Sequence, residues 1–125
     1  MLQEVLADFL VEGHYERHLR RLRDRNATRR QALLEATASH LGDRAVIAGV
    51  KAGMHAMLWL PTVPLRDLRA LVARAEQAGV LVYANTNYYL GRPPRSGVVL
   101  SFSSLSEAEI HEGIRLFGKV VRSRW

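Results

Sequence analysis

The sequence predicts an α+β fold, a small and mostly antiparallel sheet with its helices packed on one face. Three observations carry this. Residues 97–117, GVVLSFSSLSEAEIHEGIRLF, read as a buried strand, a sharp turn and a capped helix. Two apolar runs, 45–50 and 54–60, are joined by Lys51-Ala52-Gly53, the pattern of an antiparallel hairpin. Along the chain the order is helix, two strands, helix, strand, long loop, strand, helix, which places short strands and helices in two layers.

Residues 2–41 read as helix in two pieces. Val5, Leu6, Phe9 and Leu10 form a short apolar face, and Gly13 marks a bend or break. From Tyr15 a stripe recurs at Leu19, Leu22, Asn26, Leu33 and Thr37, and ends at Leu41-Gly42 with a glycine cap. After the hairpin, Pro61 stops the second strand and Pro64 enters the first turn of a helix. That helix turns Leu65, Leu68, Leu71, Val72 and Ala75 inward, with Gly79 past its end. Residues 80–83 read as a short strand and 84–96 as a long loop. In the last unit, Val98, Val99, Leu100 and Phe102 are strand formers. Ser106 and Glu109 have the spacing of a capping box, and Leu105 and Ile110 that of a hydrophobic staple. Ile110, Ile114, Phe117 and Val121 then share one helical face.

Composition narrows the function. A length of 125 residues with 48% hydrophobic content suits one globular domain. The absence of cysteine excludes disulfides, thiolate chemistry and cysteine-based zinc sites. No apolar run approaches the ~20 residues of a membrane span, so no membrane partner is expected and the cytoplasm is the expected compartment. The net charge of +6 suits a polyanionic partner. Seven arginines fall between Arg17 and Arg30, yet only Tyr15 lies nearby as an aromatic on which a base could stack. The favoured reading is a solvated face paired with Glu16, Asp24 and acidic groups elsewhere; a basic nucleic-acid-binding module is the alternative.

Other constellations are weaker. His14 and His18 stand one helical turn apart but lack a third ligand, and Arg17 and Arg21 repel a cation, so no metal site is expected. His55, in an apolar strand, reads as a hydrogen-bonded core or interface histidine. Ser101, Ser103, Ser104 and Ser106 lack a G-x-S-x-G elbow, and the cluster reads as structural. No dinucleotide fingerprint or P-loop is present. The loop from 85 to 96 is the best candidate for function, because Arg92 and Arg95 have the chemistry to clamp a carboxylate.

Three stretches carry a family resemblance: EGHYERHLRRLR at 12–23, AGMHAMLWLP at 52–61 and YYLGRPPRSGVVLSFSSLSEAEI at 88–110. In that order they resemble the small domain of fold-type-I pyridoxal-phosphate (PLP) enzymes, and most of all the aminotransferase-like domain of GntR-family transcriptional regulators of the MocR subgroup. The resemblance implies that residues 14–125 are this C-terminal small domain and that 1–13 link it to a PLP-binding large domain upstream. It also implies a separate winged-helix DNA-binding domain, an amino-acid-like or vitamer effector, and a homodimer. PLP is then the cofactor of the parent. Its Schiff-base lysine belongs upstream of Met1, since neither Lys51 nor Lys119, the only lysines, stands in the matching place. No catalytic or cofactor-binding residue is therefore expected in this chain, which is not an enzyme by itself.

The sequence departs from its family at two places. Related regulators more often carry an aromatic where Asn26 stands. Related aminotransferases bind the substrate α-carboxylate through the arginine of an R-L-S-F pattern; here the matching stretch is Val99-Leu100-Ser101-Phe102. That favours a regulator reading its effector through Arg92 or Arg95, with the small domain of an active aminotransferase as the alternative.

Overall fold

The alternating apolar pattern of the strands becomes a two-layer structure in the computed structural model, which describes residues 14–51, 55–88, 95–102 and 104–125. Four strands, β1 (Val46–Lys51), β2 (His55–Trp59), β3 (Tyr83–Ala84) and β4 (Gly97–Ser101), form one sheet in the order β1-β2-β4-β3. Every neighbouring pair is antiparallel. β1 and β2 are the expected hairpin strands; residues 52–54 of its turn lie outside the described residues. A bulge between Ile47 and Gly49 gives β1 one extra residue, Ala48, against β2. The expected strand at 80–83 is shifted to Tyr83–Ala84, because pairing to β4 begins only where Tyr83 meets Val99.

Side-chain alternation makes the sheet one-sided. Ala56 faces Leu100 and Leu58 faces Val98 across the β2–β4 ladder, and all four are buried. They pack against three helices, α1 (His14–His40), α2 (Leu68–Gln77) and α3 (Glu107–Arg124). Ala32, Leu33 and Ala36 come from α1, Leu68, Leu71 and Ala75 from α2, and Ile110, Ile114, Phe117 and Val121 from α3. Burying one leucine-sized side chain is worth about 1.5–3 kcal/mol, so this shared cluster holds the layers together. The expected fold class is as observed, and so are the expected inward faces of α2 and α3, with Leu65 and Val72 only partly buried.

Local signals set the helix ends. α3 begins at Ser106, whose Oγ accepts from the Glu109 N–H at 3.1 Å while the Glu109 carboxylate accepts from the Ser106 N–H at 3.0 Å. Pro64 caps a 3₁₀ turn, Leu65–Asp67, that leads into α2 rather than entering the α-helix itself. Gly42 and Gly79 have φ of +53° and +97°, which L side chains resist, and they close α1 and α2. Trp125 fastens the end of α3 to α2: its indole N–H donates to Asp67 at 3.1 Å, and Arg74 and Arg124 flank the ring.

α1 holds 27 residues, about 40 Å, and among its described side chains the first fully buried one is Ala32. Arg17, Arg20, Arg21, Asp24, Arg25 and Arg30 are exposed. Arg29 departs from the solvated-face expectation, donating through Nε to the Leu105 carbonyl at 2.7 Å and so tying α1 to the turn before α3. Asn26, half-buried, accepts from Arg29. The side chains of Tyr15, Glu16, His14, His18, Leu19 and Leu22, and the segment with Val5, Leu6, Phe9, Leu10 and Gly13, lie outside the described residues. Among the described residues no helix is long and apolar enough to cross a membrane.

Candidate functional site

The face of the sheet turned away from the helices is the candidate site. Alternation sends Met57, Trp59 and Val99 outward, and all three are half-buried. Trp59 pairs with Val46 on one side and Gly97 on the other; Met57 pairs with Val99, and Val99 with Tyr83. Val46 is 53% and Tyr83 43% exposed, so an apolar patch stays open to solvent. Val99 stands in the middle of that patch. Val99, the residue that the resemblance aligns with the arginine of the R-L-S-F pattern, thus presents an isopropyl group on the open face.

Arg95 is brought to the same face from the start of β4. Its guanidinium carbon lies 4.3 Å from the centre of the Trp59 ring, a cation–π stack. Two backbone contacts hold it there. Asn85, fully buried, donates from Nδ2 to the Arg95 carbonyl at 2.9 Å. The Leu60 N–H donates to the Ser96 carbonyl at 2.9 Å, extending the β2–β4 ladder by one step. Gly97 is needed at this crossing, because a Cβ there would come within 3.1 Å of Asn85 Nδ2, the Leu58 carbonyl oxygen and Met57 Sδ. Asn85 Oδ1 and Ser96 Oγ are buried and have no hydrogen-bond partner among the described residues.

The structure thus unites Arg95 with Trp59, a partner that sequence spacing does not reveal. Arg92, the other candidate, lies outside the described residues. His55 is not a core residue, which corrects one half of the core-or-interface reading: it pairs with Ser101 at the open end of β2 and its side chain is exposed, because the alternation that buries Ala56 turns its neighbour outward. Ser101 and Ser104 are exposed, and Ser106 is engaged as the cap of α3; Ser103 lies outside the described residues. Among the described residues no group of three His, Asp or Glu side chains is placed to hold a metal.

The described residues do not make a holder for PLP. Lys119 is exposed on α3, and Lys51 ends β1 opposite His55.

Comparison with solved structures identifies the class. LysN, the α-aminoadipate aminotransferase of Thermus thermophilus, solved with N-(5'-phosphopyridoxyl)-L-leucine, matches with a TM-score of 0.81 and 23% identity over 98% of this chain and 31% of its own. The multiple substrate aminotransferase of Thermococcus profundus matches with 0.79 and 22% over 92% of this chain and 28% of its own. An archaeal alanine:glyoxylate aminotransferase gives 0.75 and 25% over 94% and 29%. The fold is one that fold-type-I aminotransferases use for part of their length.

Sequence comparison is more particular. The chain is 34% identical over 113 residues to the HTH-type transcriptional regulator YhdI of Bacillus subtilis, covering 90% of this chain and 24% of that protein. It is 32% identical over 114 residues to the probable rhizopine catabolism regulatory protein MocR of Rhizobium meliloti, covering 91% and 23%. No family model matches. The resemblance read from the sequence is borne out: the chain has the fold found in aminotransferases, and the curated relatives it matches are GntR/MocR-type transcriptional regulators. It spans about a quarter of the length of those relatives.

Proposed function

We propose that residues 14–125 are the C-terminal small domain of a PLP-binding, MocR-type regulator that works in the cytoplasm, and that residues 1–13 lead to its large domain. In the parent this domain closes over the cofactor cleft and helps to sense an amino-acid-like or vitamer effector. Closure then biases how a winged-helix DNA-binding domain is held. The domain is not a catalyst alone, and the parent works as a homodimer.

One observation carries this reading beyond the regulator relatives. Val99 stands on the open face where the resemblance puts a substrate-binding arginine, while Arg95 stands on the same face, stacked on Trp59. Stacking leaves the in-plane N–H donors of the guanidinium directed sideways, a fork suited to a planar anion. Arg95 is the primary effector contact and Arg92 the second candidate. The shared fold with working aminotransferases favours one rival, the small domain of an active enzyme.

The test uses the longer protein that carries this chain, titrated with candidate effectors while DNA binding is followed. R95A should weaken the effector response by roughly ten- to hundredfold, the worth of a charge-assisted hydrogen bond of about 1.5–3 kcal/mol. R95K should recover only part, because the planar fork is lost. R92A reports whether the second arginine shares the load. Unchanged titrations for all three variants would remove this face from sensing. Multiple-turnover transamination would establish the enzyme instead.

A further inference from the structure

We infer that the open face selects anions with an apolar body, an aliphatic or aromatic monocarboxylate being the class that fits. This rests on the proposal that Arg95 holds the effector's anion and adds what the remainder of the ligand must be. The face has two rows of outward residues. One row is Val46, Trp59 and Gly97, with Arg95 lying over Trp59; the next is Met57, Val99 and Tyr83. Successive outward residues on a strand are about 7 Å apart. Met57 and Val99 are thus one row away from a carboxylate held by the Arg95 fork, within reach of the body it carries.

The chemistry of that second row decides selectivity. Neither Met57 nor Val99 donates a hydrogen bond to a polar substituent, and both are only half-buried, so each has surface left to cover. An apolar body removes that surface from water, whereas a hydroxylated or doubly charged one is desolvated without a partner. At the junction of the rows Gly97 is covered by its neighbours, the Met57 thioether among them, so the Met57 side chain supplies the apolar surface there. Met is adaptable and favours contact with aromatic groups, which widens the class to phenyl-bearing carboxylates. Cation–π stacking pre-orients Arg95, so little side-chain freedom is lost when the anion binds.

The experiment is an NMR titration of the 125-residue chain, following the Trp59 indole, the Met57 methyl and the Val99 methyls. The probes are 4-phenylbutyrate, hexanoate, acetate, succinate and the neutral 4-phenylbutanamide. Phenylbutyrate and hexanoate should shift all three signals and bind at least about tenfold more tightly than acetate or succinate, from the apolar area covered. The neutral amide should be weaker than its acid. V99T, which keeps the shape but adds a hydroxyl, should lower the preference over acetate, and R95A should weaken all the anions.

The outcomes separate the two ideas. If R95A weakens every anion while phenylbutyrate binds no better than acetate, or V99T leaves the preference unchanged, the apolar-body inference falls and the Arg95 reading stands. If R95A changes nothing, or no probe binds, both fall for this face.

Discussion

Ser106 shows how much one residue governs here. Its Oγ and backbone N–H exchange hydrogen bonds with Glu109, and this fixes where α3 starts. Ser106→Ala should cost about 0.5–2 kcal/mol in a denaturant melt and leave ligand binding untouched. The cap also has a pH signature. Hydrogen bonds from Ser106, the backbone one foremost, hold the Glu109 carboxyl below its ordinary value of 4.5. A folded value below the unfolded one means the contribution is present above the ordinary value and is lost as pH falls through the lowered one. Ala at 106 keeps the backbone N–H, so the variant that reads this contribution is Glu109→Gln. The stability gap between wild type and Glu109→Gln should narrow on acidification from neutrality to below that range. A gap that stayed constant would show that the charged carboxylate adds nothing to the cap. The capping box was legible because its two members are three residues apart. The Arg95–Trp59 stack was not, because it depends on which residues β2 and β4 align.

The packing of elements depends on contacts that no periodicity announces. α1 and α3 cross where Gly118 meets the end of α1: a Cβ on Gly118 would lie 2.7 Å from the His40 carbonyl oxygen and 3.0 Å from Arg122 Nη1. The same His40 carbonyl accepts from Arg122, so the carbonyl is already committed. Gly118→Ala should destabilise by about 1–3 kcal/mol, because backbone at a helix end cannot swing away as a side-chain tip does. Gly113, on the same helix, has nothing among the described residues within 4 Å of its would-be Cβ. Gly113→Ala should be neutral or stabilising by up to about 1 kcal/mol through helix propensity. Melts of the two variants side by side check the crossing; equal effects would mean the helices do not approach this closely. Both glycines look alike in sequence, as small residues in one amphipathic helix. Only the approach of α1 distinguishes them.

At the scale of the whole molecule, the two lysines set the expected behaviour toward PLP. With two lysines, one exposed on α3 and one at the end of β1, the chain should form no specific aldimine with PLP. Mixing, borohydride reduction and adduct mapping check this. Sparse labelling at both lysines is expected, and a stoichiometric adduct at Lys51 or Lys119 that amino acids block would overturn it.

By itself the sequence determined the element order, the inward faces of α2 and α3, the cap of α3 and the lack of cysteine chemistry, since each follows from spacings within a turn or two of helix or strand. The resemblance to aminotransferase-like regulators was legible in the same way, in ordered local motifs. Tertiary structure alone decided that Val99 lies outward between Met57 and Tyr83, that His55 is exposed, and that Arg29 reaches the Leu105 carbonyl 76 residues away. It also decided that Arg95 stacks on Trp59. Periods of 2 and 3.6 say that a residue faces one side of its own element. Strand register and helix crossing decide what it meets there, and those are set by distant side chains packing together.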